Sequence, residues 1–547
     1  MRVDTRQYGK KYPGGGIEKP EDYLKRLLAH FKIDGSFAAA KTSLFACLLA
    51  GLLAYHQLVI LGNGNADAIC EGLFFYTGAD WALACGRWAT RYLNISSLNL
   101  VMPGIWILLY MLTVFATVMM LAKLWGIKSR LGIGLISMLM AVNPAVIEQS
   151  LLQYMFLSWG VSNLLGTAFV TLNFKSGSRW KQFLLAPVCM AVAFGLYQTS
   201  VGLICVCFGM TLILELLNGL HIKQAMQALL RFAVGSILGV TLYFGVQQLE
   251  VLRYGVEESA RVQMFSFTAI LHSLGETIPQ AYQTFWGYFS DYFFFRKQIY
   301  ELVFIGILIL FALYFLRGLK KKAYVESGFA LLLLLLVPAL ANIAKILFPD
   351  SEIIDIMQYQ SNFLVPFLFA LLEGCQLNCK WMKNLGRIGA LSATALLFWG
   401  YMVSANATYS VYELSYRHIN FMTASMLQAV YDLPDYSPED TIVFAGFIDD
   451  AELQNAIPAY KFAYGKYDNP VFWVDAGSGL KQNRNNYLLN YFGFSGGQIR
   501  GMMHGAYNEA VQSEAFAEMD IYPGENSIRR FDNMIIVKLS EEPPLFD

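Results

Sequence analysis

The chain has 547 residues, of which 56% are hydrophobic and only 15% are charged, with equal numbers of acidic and basic side chains. Average soluble domains carry about 25% charged residues, so this composition is typical of a membrane protein rather than a soluble one. The formal net charge of zero gives no bulk attraction to nucleic acid, and we expect no nucleic-acid partner.

The first 36 residues are polar and predict a tail in the cytoplasm. Within it, residues 20–33 have the pattern of a short amphipathic helix lying on the membrane. The first apolar run begins near Phe37, which is too late and too long for a cleavable signal peptide.

Apolar runs of about 20 residues recur along most of the chain and predict a polytopic, mainly α-helical membrane domain over residues 37–404. We expect eleven spans, near 37–61, 101–125, 131–149, 152–173, 183–199, 201–219, 229–248, 299–317, 324–347, 358–374 and 386–404.

Basic residues predict the orientation of these spans. With the N-terminus in the cytoplasm, the tail and the inner loops carry 23 Lys and Arg residues, against 6 in the outer loops. We therefore expect a multi-pass plasma-membrane protein whose residues 405–547 lie outside the cell. Patterns at 440–446, 469–477 and 533–539 predict strands, and those near 413–432 and 505–519 predict helices, so this tail is expected to form a small α/β domain.

The outer loop after the first span carries three acids that could act as a general base on an acceptor hydroxyl: Asp67, Glu71 and Asp80. Asp67 follows G-N-G-N, a turn-forming run that could present a carboxylate at the membrane surface. Asp67 and Asp80 could equally cap the helices that follow them. Catalysis and capping can coexist at one residue.

Four basic residues could bind a phosphate group. Arg87 lies between Trp81 and Trp88, where it could hold a phosphate or anchor the protein in the interface. The remaining three are Arg296 and Lys297, at the end of an aromatic, interfacial segment 285–297, and Lys345, which could instead pair with Asp350 or Glu352 or extend to the interface.

Three further polar residues could contact a substrate at the outer ends of spans. Glu148 lies near the end of the motif A-V-N-P-A-V-I-E-Q, whose proline could also produce a kinked helix end with Glu148 in water. Tyr197 and Gln198 lie in G-L-Y-Q-T-S, which suits hydrogen bonding to a sugar or a tight turn between helices. The sequence has no P-loop and no H-E-x-x-H motif, and we expect neither a cofactor nor a metal.

With these residues in place, the chain resembles the bacterial serotype-converting glucosyltransferases of the Gtr type, within the GT-C class of membrane glycosyltransferases. The resemblance rests on N-A-D-A-I at 65–69, G-R-W at 86–88, N-P-A-V-I-E-Q at 143–149 and Y-Q at 197–198, and on a GT-C-like body of many spans with an outer C-terminal domain.

The resemblance implies transfer of a sugar, often glucose, from a polyprenyl-phosphate donor to a cell-surface polysaccharide or related glycan. It implies an essential acid in the first outer loop, a position that Asp67 matches best, and inversion at the anomeric carbon. Membrane lipid, the lipid-linked donor and the glycan acceptor are the expected partners. Three alternatives stay open at this point: a lipid-linked glycan flippase or transporter, a polysaccharide polymerase, and a non-catalytic membrane scaffold.

Overall fold

The computed structural model describes residues 37–61, 78–175, 178–259, 267–290, 295–349, 353–374, 380–437, 440–446, 504–532, 534–543 and 545. The predicted amphipathic helix at 20–33, the acids Asp67 and Glu71, and the predicted strand at 469–477 lie outside the described residues.

The described part is mostly helical. Its first half contains α1 (Phe37–Leu61), α2 (Ala79–Ala84), α3 (Trp88–Ile95), α4 (Pro103–Trp125), α5 (Arg130–Ala141), α6 (Pro144–Leu151), α7 (Gln153–Lys175), a π-helical turn (Lys181–Leu185) that continues into α8 (Ala186–Leu196), and α9 (Ser200–Leu217). The second half contains α10 (Ile222–Tyr254), α11 (Phe267–Ser290), α12 (Arg296–Lys320), α13 (Tyr324–Ala341), α14 (Ile343–Leu347), a 3₁₀ helix (Asp355–Phe363), α15 (Leu364–Gly374) and α16 (Lys380–Tyr431).

Within the described residues, eight helices are long and apolar enough to cross a membrane, and α5 with α6 adds a ninth if the bent pair is one span. All nine coincide with predicted spans. The two other predicted spans, 183–199 and 358–374, correspond to the 16-residue helix Lys181–Leu196 and to the 3₁₀ helix followed by the 11-residue α15. The membrane character is confirmed, and the number of eleven spans stays a prediction.

Two helices differ from the expected pattern. The segment 267–290, which we expected to be part of a loop, forms the 24-residue helix α11. It buries one stripe, which consists of Ile270, Thr277, Ala281, Phe285 and Tyr288, so it is an amphipathic helix rather than an irregular loop.

The last predicted span is far longer than its apolar part. Helix α16 runs without a break for 52 residues, through the span at 386–404 and the separate helix expected near 413–432. At 1.5 Å per residue it extends for about 78 Å, more than twice the apolar thickness of a bilayer. The C-terminal domain is therefore connected to the membrane domain by one continuous helix.

The basic connections between spans gather at one end of the bundle, called here the basic end. The Glu373 carboxylate at the end of α15 accepts hydrogen bonds from the backbone N–H groups of Lys128 and Ser129, both at 2.8 Å. Similarly, Glu326 accepts from the backbone N–H of Ile222 at 3.2 Å. The connections at 126–129 and 218–221 thus lie beside α15 and α13, as alternating spans require.

The described part of the C-terminal domain is a three-stranded sheet between helices. The strands are β1 (Thr441–Ala445), β2 (Ile528–Phe531) and β3 (Met534–Lys538), with β3 in the centre, parallel to β1 and antiparallel to β2. Two short helices, α17 (His504–Val511) and α18 (Glu514–Ala517), precede β2. The strands predicted at 440–446 and 533–539 are present, whereas β2 was not predicted.

Alternating side chains place different layers on the two faces of the sheet. Ile442, Phe444 and Val537 join the same apolar cluster as Met426 and Val430 near the end of α16. On the opposite face, Val443, Ala445 and Ile536 pack with residues of α17 and α18, among them Tyr507 and Phe516. The order of layers is therefore helix, sheet, helix.

An arginine ties the sheet to the end of α16. Arg530 of β2 donates to both carboxylate oxygens of Asp440, at 2.8 and 2.5 Å, and to the carboxylate of Asp435 at 2.6 Å. These hydrogen bonds hold the pKa of the Asp440 carboxyl below its usual value. The connection from α16 to β1 is fixed by this bidentate ion pair.

Candidate functional site

The corner between α2 and α3 positions Arg87 at the end of the bundle opposite the basic end. The chain turns at Gly86, whose φ of 80° lies in the left-handed region that favours glycine. Arg87 then occupies the position just before α3. The helix that Asp80 could have capped is therefore two short helices with this corner between them.

Four successive carbonyl groups of this corner are held by groups from outside it. Gln247 of α10 donates to the Leu83 carbonyl at 2.8 Å, and the backbone N–H of Ser259 donates to the Ala84 carbonyl at 3.0 Å. Gln198 Nε2 donates to the Cys85 carbonyl at 2.5 Å.

The fourth carbonyl, that of Gly86, accepts from Tyr243 Oη at 2.9 Å. Tyr243 Oη in turn accepts from Gln198 Nε2 at 3.2 Å, so the two side chains form one network. We call the side chains of Gln198, Tyr243 and Gln247 the carbonyl clamp. Because the carbonyls of the four residues before Arg87 all accept hydrogen bonds from other parts of the chain, the fold sets the position of Arg87.

The guanidinium of Arg87 lies half-buried against two soft groups. Its Nη1 is 3.3 Å from Met155 Sδ at the start of α7, and its Cζ lies 5.0 Å from the ring centroid of Tyr197. Its Nε has no hydrogen-bond partner among the described residues. A thioether and an aromatic face attract a cation but do not neutralise it, so this arrangement suits an anionic ligand.

Close packing beside Arg87 brings two of the quoted motifs together. A Cβ on Gly195 would lie 2.4 Å from Trp88 Cε2, so only glycine permits this contact between α8 and the indole ring. Thr90 donates to the Leu196 carbonyl at 3.0 Å just beyond it. The motifs G-R-W at 86–88 and Y-Q at 197–198, more than 100 residues apart in sequence, are therefore in direct contact.

Asp80 takes part in an ion pair at the surface of the same region. Its carboxylate, 75% exposed, accepts from Arg91 at 2.8 Å, and the Arg91 guanidinium stacks 3.6 Å from the ring centroid of Tyr254. Asp80 lies in the first turn of α2 rather than at its N-cap, which is Gly78. This geometry gives Asp80 a role in joining α2, α3 and the end of α10.

A second contact of α3 lies beside this ion pair. Tyr92 Oη donates to the Glu250 carboxylate at 2.6 Å, and this hydrogen bond raises the pKa of Tyr92 to about 12. Two polar contacts thus hold α3 against α10 next to the clamp.

The motif A-V-N-P-A-V-I-E-Q forms a broken helix inside the bundle. The two helices α5 and α6 meet at an angle of 41°, and the break lies at Asn143 and Pro144. The turn predicted between the spans at 131–149 and 152–173 is a separate feature and lies at Leu152, between α6 and α7. Every residue of α6 is buried, and Glu148 is only 5% exposed. The expectation that Glu148 lies at a water-exposed helix end is wrong, because α6 continues inside the protein.

The remaining basic residues of the predicted site lie elsewhere in the fold. Arg296, at the start of α12, is 1% exposed, and its guanidinium faces the rings of Tyr288 and Tyr401 at 4.9 and 5.5 Å. Lys297 is exposed beside it. Lys345 of α14 donates to the Pro349 carbonyl at 2.7 Å, and the acids at 350 and 352 that we expected as its partners lie outside the described residues.

The predicted site residues therefore fall into groups. Arg87, Tyr197 and Gln198 form one site. Met155, Tyr243 and Gln247 also belong to it, although no pattern in the sequence indicated them. Glu148 lies one helix away, on α6, which leads directly into α7. Of the two tyrosines beside Arg296, Tyr288 belongs to the aromatic segment 285–297, whereas Tyr401 was not singled out from the sequence.

One comparison with known proteins identifies the family. The family model of glucosyl transferase GtrII matches residues 71–371, more than half of the chain. The chain belongs to this family. A search of the curated proteins and a search of the solved structures found no match to this chain.

Membership in the GtrII family confirms the resemblance to Gtr-type glucosyltransferases and implies glucosyl transfer as the activity. It disfavours the transporter, polymerase and scaffold alternatives. The match includes the corner at Arg87, the turn at 197–198 and the α5–α6 break, whereas Asp67 precedes it.

Proposed function

We propose that this GtrII-family protein transfers glucose from a polyprenyl-phosphate donor to a cell-surface polysaccharide or related glycan on the outer face of the plasma membrane. The observation that carries the proposal is Arg87. Its guanidinium is fixed at the end of the bundle by the clamped corner, and its described contacts are aromatic and thioether groups that leave its charge available to a phosphate.

The proposed orientation places the basic end in the cytoplasm. The 23 to 6 distribution of Lys and Arg favours it, and these connections gather at one end of the bundle. The corner with Arg87 and the C-terminal domain then face the outside. Nucleotide sugars are cytoplasmic compounds, so a donor that is already linked to lipid phosphate suits a site on this face.

The proposed reaction is a single displacement at the anomeric carbon. The acceptor oxygen forms a bond to C1 while the bond from C1 to the phosphate oxygen breaks, and polyprenyl phosphate leaves with that electron pair. Arg87 stabilises the charge that develops on the leaving phosphate. The acceptor proton passes to an acid of the first outer loop, for which Asp67 is the first candidate and Glu71 the second. The product has the inverted configuration.

The proposed test of the phosphate site compares Arg87→Gln and Arg87→Lys with wild type in purified protein supplied with polyprenyl-phosphate glucose and the host glycan. Loss of a preorganised charge contact to a leaving group costs about 10²–10³-fold in kcat, which is the expected effect of Arg87→Gln. The kcat of Arg87→Lys should lie between those of wild type and Arg87→Gln, because lysine keeps the positive charge but lacks the planar guanidinium.

Arg253→Gln is the matched control, since Arg253 lies at the same end of the bundle but is 65% exposed. It should retain wild-type activity. Equal activity of Arg87→Gln and Arg253→Gln, with equal insertion, would rule out the phosphate role of Arg87.

The base is tested by Asp67→Asn in the same assay. Loss of transfer with normal insertion supports Asp67, whereas full activity makes Glu71, Asp80 or Glu148 the next candidate for the base. Product anomericity is measured on the wild type, and retention of configuration would exclude a single displacement.

We also propose that the C-terminal domain helps to bind the acceptor, because it faces the outside in the proposed orientation. The test is a deletion that keeps α16 intact. Tyr409 of α16 shares a 2.6 Å hydrogen bond with Ser150 of α6, so a cut near residue 410 would disturb the membrane domain itself. Deletion of residues 432–547 leaves α16 complete. It should abolish transfer to polysaccharide and preserve slow hydrolysis of the donor; unchanged transfer would contradict the acceptor role.

A further inference from the structure

Helix α6 carries a polar side chain that no described residue satisfies. Gln149 is 0% exposed, and neither its Nε2 nor its Oε1 has a hydrogen-bond partner among the described residues. The buried apolar residues Ala145, Val146 and Ile147 precede it on α6, and the buried polar residues Glu148 and Ser150 flank it. Burying a primary amide without partners is unfavourable, and leucine would fill a similar volume without this cost. The amide therefore points to a partner that the folded chain does not supply.

Two hydroxyl groups on adjoining elements share this property. Ser158 of α7 and Ser361 of the 3₁₀ helix are both fully buried, and neither Oγ has a hydrogen-bond partner among the described residues. Helix α6 packs against both elements. The same two elements also touch each other, since the rings of Trp159 and Tyr359 meet edge to face with centroids 5.0 Å apart. Three elements in mutual contact thus each contribute an unsatisfied neutral group.

The position of Ser158 relates these groups to Arg87. Met155, whose sulfur contacts the Arg87 guanidinium, precedes Ser158 by three residues on α7. Side chains three apart lie on the same face of a helix, with Cβ atoms about 5–6 Å apart. One face of α7 therefore leads from the guanidinium to the buried hydroxyl, and a hexose joined to a phosphate covers a comparable distance.

We propose that Gln149, together with Ser158 and Ser361, binds hydroxyl groups of the transferred hexose while Arg87 holds its phosphate. This assignment rests on the proposed lipid-phosphate donor. An amide offers two donor hydrogens and two acceptor lone pairs, and each serine hydroxyl offers one donor and two acceptor sites, which match the hydroxyls of a sugar ring. All three groups are neutral, so they suit an uncharged polyhydroxyl ligand. Gln149 is then the residue that selects among hexoses.

The first test measures sugar selectivity with polyprenyl-phosphate glucose and its monodeoxy analogues. Wild type should use one analogue about ten- to a hundredfold less well, because its missing hydroxyl leaves the buried amide unsatisfied. Gln149→Leu should lose a similar factor with glucose and keep its rate with that analogue, so that the two become nearly equal substrates. An unchanged preference in Gln149→Leu, or an equal loss with both donors, would overturn the assignment.

The second test needs no donor. Because the amide has no described partner, Gln149→Leu should leave the thermal unfolding temperature of the purified protein unchanged or raise it. The matched control is Gln360→Leu, which removes hydrogen bonds to the Ala341 and Met357 carbonyls at 2.6 and 2.7 Å and should lower that temperature. An equal fall in both variants would show that Gln149 is satisfied within the fold, and would overturn the inference.

The two tests separate this inference from the proposed donor. If wild type transfers no glucose from the polyprenyl-phosphate donor, the donor proposal fails, and the unfolding temperatures still decide whether the Gln149 amide is unsatisfied. If wild type is active and Gln149→Leu keeps its selectivity, the donor proposal survives and the sugar-binding role of Gln149 fails.

Discussion

The carbonyl clamp offers the sharpest test of how the fold positions Arg87, through the substitution Tyr243→Phe. It removes one oxygen atom and keeps the ring, which packs edge to face against Phe194 with centroids 5.9 Å apart. The Gly86 carbonyl then loses the donor at 2.9 Å, while Gln198 keeps its bond to the Cys85 carbonyl. The substitution therefore removes two hydrogen bonds, the one to the Gly86 carbonyl and the one that Gln198 Nε2 donates to Tyr243 Oη, and both lie beside Arg87.

The expected magnitude follows from leaving one buried carbonyl without its donor. Such a loss costs about 1–3 kcal/mol. If the clamp serves to hold Arg87 in its reactive position, the same energy appears in the transition state, and kcat/KM should fall by about 5- to 150-fold. Tyr324→Phe is the control, because Tyr324 is an exposed tyrosine at the basic end and should leave kcat/KM unchanged.

The assay measures initial rates of glucosyl transfer and the unfolding temperature on the same preparations. A double substitution with Gln198→Leu adds a further check. Since both side chains act on one corner, their combined loss should be smaller than the sum of the single losses. Wild-type kcat/KM in both Tyr243→Phe and Gln247→Leu would refute the argument that the clamp positions Arg87.

Three other substitutions test separate parts of the structure. Gly195→Ala should lower kcat about tenfold or more with little effect on insertion, because the new Cβ would lie 2.4 Å from the Trp88 ring and displace the corner; wild-type rates would contradict the close packing. Tyr55→Phe removes the donor to the carbonyl that ends α5, and should lower the unfolding free energy by about 1–3 kcal/mol, as measured by thermal unfolding. The Asp440 carboxyl has a lowered pKa in the folded state, so its pairing with Arg530 stabilises the C-terminal domain above the unfolded pKa of about 3.8 and is lost as pH falls through the folded pKa. Asp440→Asn should reduce stability at neutral pH and flatten its decline below about pH 4; an unchanged acid profile would show that the ion pair does not contribute.

Hydropathy predicts where apolar helices lie and says less about where they end. The eight spanning helices of the described residues, and the bent pair α5–α6, were predicted because long apolar runs are rare outside membranes. The extent of α16 was missed, since hydropathy falls after the span although the helix continues to Tyr431. Helix α11 was missed for the related reason that an amphipathic helix alternates polar and apolar residues, which lowers its mean hydropathy.

The sequence indicated several single residues of the candidate site, but it did not indicate which of them lie close together in space. Arg87 and the pair at 197–198 stand out in the sequence because polar residues at membrane boundaries are costly and therefore informative. The contact between Arg87 and the pair at 197–198 depends on the tertiary structure, so no local sequence pattern predicts it. Tyr243 and Gln247, which hold the corner, lie in the C-terminal half of the long helix α10. Their significance follows only from the carbonyl groups that they meet.

The break at Asn143 shows how far a local signal leads. A proline inside an apolar run predicts a bend, because it removes one backbone donor and crowds the preceding turn. The bend is stable inside the bundle because other groups donate hydrogen bonds to the backbone carbonyls that it leaves without helical partners. Asn143 Nδ2 donates to the Leu139 and Met140 carbonyls at 3.3 and 3.2 Å, and Tyr55 Oη donates to the Ala141 carbonyl at 2.8 Å.

Those donors come from the broken helix itself and from α1, so the fold accounts for the last carbonyls of α5. Non-helical backbone at membrane depth is tolerated only under that condition. Among the described residues of this region, the unsatisfied groups are instead on side chains, and the Gln149 amide of α6 is 0% exposed. The backbone at the break is thus satisfied, whereas the neutral Gln149 amide on the same helix is not. This difference supports the proposal that Gln149 receives hydroxyl groups of a sugar. Sugar selectivity should therefore be measured at Gln149 before any other position on α6.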